Sequence, residues 1–361
     1  MIDTKSIFGV EAPQPLTPAF WDWSRVRKVL LIRLRSIGDT VLSTPALFAL
    51  KRFVPHAEID ILVEDWVAPI LEAHPHATNV VVLERGGMGP RLRVARQIRA
   101  AGYDVVYNLH GGTTATFLTR ATGAPHRVGF KTYQYAQLHN HQSPSASLLW
   151  GQQKTHSVEQ QLALLGWTGV PVTDRPRTHL GVPSEAADAI TRRLSEAALE
   201  DRKIALIHPA AAFPTKQWAP QNFARVVESL AERGFASVAI GTPHEQALLD
   251  ALSGEASVRI LTFELSLPEV AALAARARLF VGNDSGIAHI AAAVGTPSVV
   301  IFGSSNVAHW RPWNKAPAEV VREEMPCQPC HGYFCEKFPE PECILRVPVD
   351  RVVNAIDKAL S

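Results

Sequence analysis

Apolar runs of four to six residues recur along this chain, each followed by a longer stretch with helical periodicity, and the pattern appears twice. In the first half, Val29–Ile32, Ile59–Val63, Val80–Leu83 and Val105–Leu109 are the size of buried parallel strands. Helices are expected over Thr40–Phe53, Ala68–Ala73, Arg91–Ala101, Thr114–Thr122 and Val158–Leu165. In the second half the strands are Ile204–His208, Val238–Gly241, Val258–Leu261, Ala277–Val281 and Ser298–Phe302, and the helices Gln221–Arg233, His244–Leu252 and Pro268–Arg276. Strands alternating with helices require right-handed crossovers and a parallel sheet. The expectation is α/β: two Rossmann-like domains facing a cleft. Residues 1–24 form a Pro-rich arm, 25–175 the first domain, 176–347 the second, and 348–361 a closing helix. The text between Lys131 and Thr155, rich in His, Gln, Asn and Ser, reads as a long surface loop.

At 361 residues there is chain enough for two cores, and 19% charged residues describe a globular protein. The net charge of +2 implies no nucleic-acid partner. Between Phe20 and Tyr135, however, 15 Lys/Arg stand against 9 Asp/Glu, a bias that suits an acidic acceptor or an anionic membrane face as well as scattered solvated charge. No apolar run approaches the roughly 20 residues of a membrane span. The N-terminal text lacks the charged-then-apolar order of a signal peptide. A cytoplasmic enzyme is expected, one able to touch the inner face of a membrane.

Neither G-x-G-x-x-G nor G-x-x-x-x-G-K-[ST] occurs, which disfavours hydride transfer and P-loop kinase chemistry. The stretch Val281–Gly303 draws attention instead. A strand turns through Gly282-Asn283-Asp284-Ser285-Gly286 into an Ala-rich helix that ends at Gly295-Thr296-Pro297. Unpaired N–H groups and the helix dipole at such a start favour an anion, typically a phosphate. Asp284 or Ser285 could cap the helix, and His289 follows one turn later on the same side. Asp39, at the start of the first helix, could be held ionised by backbone N–H groups and take a proton from a hydroxyl, or could simply be a cap. Lys216 lies in the loop after Ile204–His208, where it could neutralise a diphosphate. Glu245 follows the next strand, where an acid can bind ribose hydroxyls or merely start a helix. The only cysteines are Cys327, Cys330, Cys335 and Cys343. Their spacing permits a Zn or Fe knuckle but is tight for one, so free or loosely paired thiols on a Pro-rich loop are the favoured reading.

Five separated stretches then resemble one family. They are IRLRSIGDTVLSTPAL, YDVVYNLHGGTTATFLTRATGAPHRVGF, HPAAAFPTKQWAPQNFARVV, LFVGNDSGIAHIAAAVGTPSVVIFG and the tail CQPCHGYFCEKFPEPEC. Together they are similar to the lipopolysaccharide heptosyltransferases, the ADP-heptose-dependent glycosyltransferases of family nine. The resemblance runs from Val29 to the end. It implies a GT-B fold, with the nucleotide sugar on the second domain and a lipid A–core oligosaccharide on the first. It also implies inverting transfer without a metal or other cofactor. In that reading Asp39 is the base and Lys216 the diphosphate ligand. Glu245 meets the ribose, Leu265 flanks the adenine, and Asp284, Ser285, Gly286 and His289 form the phosphate loop. His110 and Arg127 fall on the acceptor side.

Three departures stand out. Ala210-Ala211-Ala212 replaces frequent hydroxyl residues, Thr114 a frequent lysine and His110 a frequent glutamine. Two other readings share the architecture: an enzyme for another nucleotide sugar, including an epimerase, and a non-catalytic sugar-nucleotide-binding protein.

Overall fold

The computed structural model describes residues 12–256, 261–330 and 332–361. Two six-stranded parallel sheets follow one another along the chain. The first is built from β1 (Lys28–Ile32), β2 (Glu58–Glu64), β3 (Asn79–Leu83), β4 (Val105–Asn108), β5 (His126–Phe130) and β6 (His141–Ser143). Its helices are α1 (Ile37–Val41), α2 (Thr44–Phe53), α3 (Met88–Ala100), α4 (Thr113–Ala121), α5 (Ala146–Trp150) and α6 (Ser157–Gly166). After α7 (Ser184–Glu196) the second sheet takes β7 (Lys203–His208), β8 (Phe235–Ile240), β9 (Leu261–Phe263), β10 (Leu279–Asn283), β11 (Ser298–Phe302) and β12 (Ala318–Arg322). The accompanying helices are α8 (Pro220–Glu232), α9 (Gln246–Glu255), α10 (Leu267–Arg276), α11 (Gly286–Ala293), α12 (Val307–Trp310), α13 (Glu342–Leu345) and α14 (Val349–Leu360).

Strand order is β3-β2-β1-β4-β5-β6 in the first sheet and β12-β11-β10-β7-β8-β9 in the second. Both are the doubly wound order, which reverses direction between β1 and β4 and again between β7 and β10. Ligands bind outside the carboxyl ends of the strands at such a reversal. The central strands are apolar because helices cover both faces: Val29–Ile32 and Val299, Ile301 and Phe302 are fully buried. Each such side chain contributes on the order of 1.5–3 kcal/mol.

The two halves touch through α1 and α11. A Cβ added to Gly286 would lie 2.6 Å from Ile37 Cβ, and one on Gly38 would lie 2.7 Å from His289 Cδ2. Only glycine lets these two helix starts approach so closely. The stretch 169–183 also crosses between halves: Thr178 N donates to Trp313 O (3.0 Å), His179 N to Thr44 Oγ1 (3.2 Å) and Leu180 N to Ala293 O (3.3 Å). The arm from residue 12 lies along the end of α6, where Leu16 N reaches Gly166 O (3.0 Å) and Trp23 Nε1 reaches Thr168 O (2.9 Å). Helix α14 closes the core of the second sheet, packing on α8 and β12.

Three expectations change, and a fourth falls almost wholly outside the described residues. The helix Thr40–Phe53 is two helices, because Pro45 has no N–H for Val41 O and Thr44 Oγ1 takes that carbonyl instead (2.8 Å). The polar stretch Lys131–Thr155 is not a surface loop: it adds β6 to the sheet edge and forms α5, with His139 and Ser143 buried. The expected strand Val258–Leu261 lies outside the described residues except at Leu261, which begins β9. The strand expected over Ala277–Val281 starts two residues later, since Ala277 still caps α10.

Candidate active site

Four strand ends meet where the halves face each other, and they are the ones flanking the two reversals. Asp39 follows β1, His110 follows β4, Lys216 follows β7, and Asp284 with Ser285 follows β10. Asp39 sits in the first turn of α1. Its carboxylate is held by side chains rather than by the backbone: it pairs with Arg33 and accepts from Ser36 Oγ (3.2 Å). Arg33 is itself fixed by donating to Leu109 O (2.5 Å). His110 lies beside this pair. Burial, aided by Arg33 and opposed by Asp39, pushes its imidazole down to about 4, so it is neutral near pH 7.

Across the interface, a 3-10 turn at Pro214–Lys216 presents Lys216. Its ammonium donates to Asp284 Oδ2 (2.9 Å), and Ser305 Oγ donates to the same oxygen (2.5 Å). Asp284 is therefore not the cap of α11; its carboxylate aims Lys216. Ser285 occupies the N-cap position, but its hydroxyl pairs with His208 Nδ1 (3.1 Å) instead of capping. The first N–H groups of α11 are thus left without a side-chain cap. His289, one turn along, is buried against Gly38, and burial holds its imidazole below the usual histidine range. This contact joins the two halves next to Asp39, which follows Gly38, and Asp284, which precedes Ser285 and Gly286. The helix ends as the sequence indicates, with Gly295 at φ +89°.

Glu245 ends the 3-10 turn Pro243–Glu245 after β8 and precedes α9. Its Oε2 accepts from Thr242 N (2.8 Å) and Oγ1 (3.0 Å) in a capping box, and its charge also acts on His208. Leu265 follows β9, half-buried against the core. Both stand on the β8–β9 flank of the β7–β10 reversal. Arg127 is not brought to this site. It lies at the amino half of β5, paired in register with Val106, and its guanidinium is spent on Ala124 O (2.5 Å) and Leu138 O (3.4 Å). The acceptor-side candidate next to Asp39 is His110.

Several residues that position the site went unnoticed in the sequence. Arg33 orients Asp39. His208 supports Ser285, and burial, opposed by Glu245, pushes its imidazole down to about 4. Two fully buried asparagines close equivalent strands of the two sheets. Asn108, ending β4, accepts from His110 N (3.1 Å) and Gly111 N (2.9 Å). Asn283, ending β10, accepts from Trp218 N (3.2 Å) and donates to Pro209 O (2.7 Å), which ties down the loop carrying Lys216. An amide in the last position of an otherwise apolar strand was the available signal.

The four cysteines are free thiols that together line one cavity of about 10 Å³ beside Thr215 and Ser304. Among the described residues no three His, Cys, Asp or Glu side chains are arranged to hold a metal ion. Burial pushes the Cys343 thiol up to about 11. The Cys-rich loop braces the Lys216 turn through Ser304: Cys330 N donates to Ser304 O (2.9 Å), and Ser304 Oγ donates to Thr215 Oγ1 (2.9 Å).

Comparison with known proteins bears on this arrangement. The model of glycosyltransferase family 9 (heptosyltransferase) matches residues 91–338. Lipopolysaccharide heptosyltransferase 3 of Escherichia coli strain K12 is 30% identical over 295 residues, covering 78% of this chain and 84% of that protein. Among solved structures, a family 9 glycosyl transferase from Veillonella parvula superposes with a TM-score of 0.80 at 21% identity, covering 92% of this chain and 97% of the other. The E. coli ADP-heptose lps heptosyltransferase II gives 0.75 at 22% identity, covering 92% and 98%. The two-sheet architecture is thus that of GT-B heptosyltransferases.

Proposed function

This chain belongs to glycosyltransferase family 9, the heptosyltransferases, and is a glycosyltransferase; on that premise we propose that it moves a heptose from ADP-heptose, with inversion, to a sugar of the lipopolysaccharide inner core. The observation that carries this reading is the seating of α1, which carries Asp39, on the start of α11, beside which Asp284 holds Lys216. Asp39 takes the proton of the acceptor hydroxyl as that oxygen bonds to the anomeric carbon. The bond from that carbon to the β-phosphate oxygen breaks on the opposite face, and ADP leaves with the electron pair. Lys216, aimed by Asp284, and the N–H groups at Ser285 and Gly286 meet the charge that develops on the departing diphosphate. Asp284 serves the donor through Lys216, while Glu245 and Leu265 flank the ribose and adenine. His110 meets the acceptor.

This arrangement needs no metal ion or other cofactor, because the positive charge for the leaving group comes from the side chain and the helix. With Ala210-Ala211-Ala212 where hydroxyl residues are frequent, the diphosphate depends more heavily on Lys216 and α11. A lipid-linked acceptor implies work at the cytoplasmic face of the inner membrane. Support comes from the α3–α4 face, where α3 carries Arg91, Arg93, Arg96 and Arg99 without an acidic residue. Leu92 (48% exposed) and Phe117 (52% exposed) accompany them.

The test is release of ADP in the presence of ADP-heptose and a core acceptor, with the anomeric configuration of donor and product read by NMR. Acceptor-dependent ADP release with inversion is expected. Acceptor-independent turnover, or a product retaining the donor configuration, contradicts the reading.

A further inference from the structure

A cavity of about 840 Å³ opens on the flank of the second sheet opposite Glu245 and Leu265. It lies past the carboxyl ends of β11 and β12, between Ser305–Arg311, the end of β12 and the start of α6. Its ionisable lining is uneven: Lys154, Arg175, Arg177, Arg311 and Arg322 outnumber Glu159 and Glu324. Glu159 is taken by Arg175 (3.1 Å) and Glu324 by Arg322. Among the described residues no carboxylate lies within ion-pair distance of Lys154, Arg177 or Arg311.

Two of these cations are held in place by an aromatic floor. The guanidinium carbon of Arg177 is 4.7 Å from the centre of the Trp313 ring and that of Arg311 5.9 Å. Trp313 is buried and fixed, its Nε1 donating to Pro176 O (2.9 Å). A guanidinium laid on an indole keeps its N–H edge free for an anion and loses little freedom on binding one. The cavity also borders the reacting groups. Ser305 in its wall donates to Asp284, which in turn holds Lys216. His156 on its floor accepts a hydrogen bond from Val158 N through Nδ1 (3.1 Å), and its Nε2 reaches Arg311 O (2.8 Å). The nucleotide, on the β8–β9 flank, leaves this side of the reacting centre to the acceptor.

We propose that this cavity is an acceptor subsite for an anionic substituent, a phosphate monoester or a sugar carboxylate, bound chiefly by Arg177 and Arg311. The assignment rests on the transferase reading for the word acceptor, but not for the anion. Both side chains are exposed, so their replacement should leave the fold intact.

Two measurements test it. In the first, protein saturated with ADP is titrated calorimetrically with inorganic pyrophosphate. A second anion site should appear, and it should be lost in the double variant Arg177→Gln/Arg311→Gln but kept in Glu245→Gln. Absence of a second site in the unaltered protein, or its persistence in the double variant, overturns the subsite whether or not the chain is a transferase. In the second, transfer is followed with a core acceptor, the same acceptor treated with phosphatase, and the same acceptor with its carboxylates reduced. The treatment that raises KM for the unaltered protein identifies the anion. The double variant should raise KM for the untreated acceptor by about 10-fold or more, with kcat within about 3-fold, and should no longer distinguish it from the treated one. Arg177→Lys/Arg311→Lys should recover part of the loss. An unchanged KM in the double variant contradicts the proposal, whereas a complete lack of acceptor-dependent ADP release contradicts only the transferase reading.

Discussion

At the scale of single residues, each reacting group is aimed by a partner: Arg33 holds Asp39, Asp284 holds Lys216 and His208 holds Ser285. Asp39, Lys216, Asp284 and Ser285 sit in recognisable turns after strands, and three of them emerge with sharper roles. Asp39 is held by Arg33 rather than by backbone N–H groups, Asp284 aims Lys216 instead of capping α11, and Ser285 leans on His208. Two of these partnerships were illegible because they are distant along the chain: Ser285 and His208 are 77 residues apart, and Asn283 and Pro209 are 74 apart. Arg127 shows the converse: the resemblance puts it on the acceptor side, while its side chain is used at the amino half of β5. Asn283 offers a test of such positioning. Replacing it with Ala leaves Trp218 N and Pro209 O buried without their partner, at about 1–3 kcal/mol. Asn283→Ala should therefore lower thermal stability and weaken ADP binding together, because the same loop carries Lys216. Unchanged ADP affinity by calorimetry would remove Asn283 from the positioning of Lys216.

At the scale of elements, most strands and helices were legible from apolar runs and helical periodicity, and the failures have local causes. Proline and hydroxyl side chains divided the first helix into α1 and α2. The polar segment 131–155 joined the sheet because β-edge strands use backbone hydrogen bonds, which side-chain polarity does not reveal. His141 and Ser143 pair with Val128 and Phe130 all the same. The approach of α1 to α11 was not legible either, since it depends on two glycines from different halves. Gly38→Ala would drive a methyl group against His289 and push the two helix starts apart. Since the donor groups lie on the second half, kcat should fall by about 10-fold or more while ADP affinity stays within about 3-fold. A variant with full kcat would show that the seating of α1 on α11 does not set the reacting distance.

At the scale of the molecule, the architecture follows from a repeated alternation, and the site follows from the architecture. Two doubly wound sheets each have one reversal, and the residues after β1, β4, β7 and β10 are brought together without any motif joining them in sequence. What the sequence did not carry was the location of the basic cavity, whose cations come from the linker, the segment before α6, the turns after β11 and the last residue of β12. The same geometry divides the labour between halves, with the proton acceptor on the first and the leaving-group charge on the second. That division can be examined with one conservative change that keeps the shape of the side chain. In Asp39→Asn, acceptor-dependent release of ADP should fall by about 10²–10⁴-fold, while ADP binds with unaltered affinity. Transfer at the rate of the unaltered protein by Asp39→Asn would contradict the account.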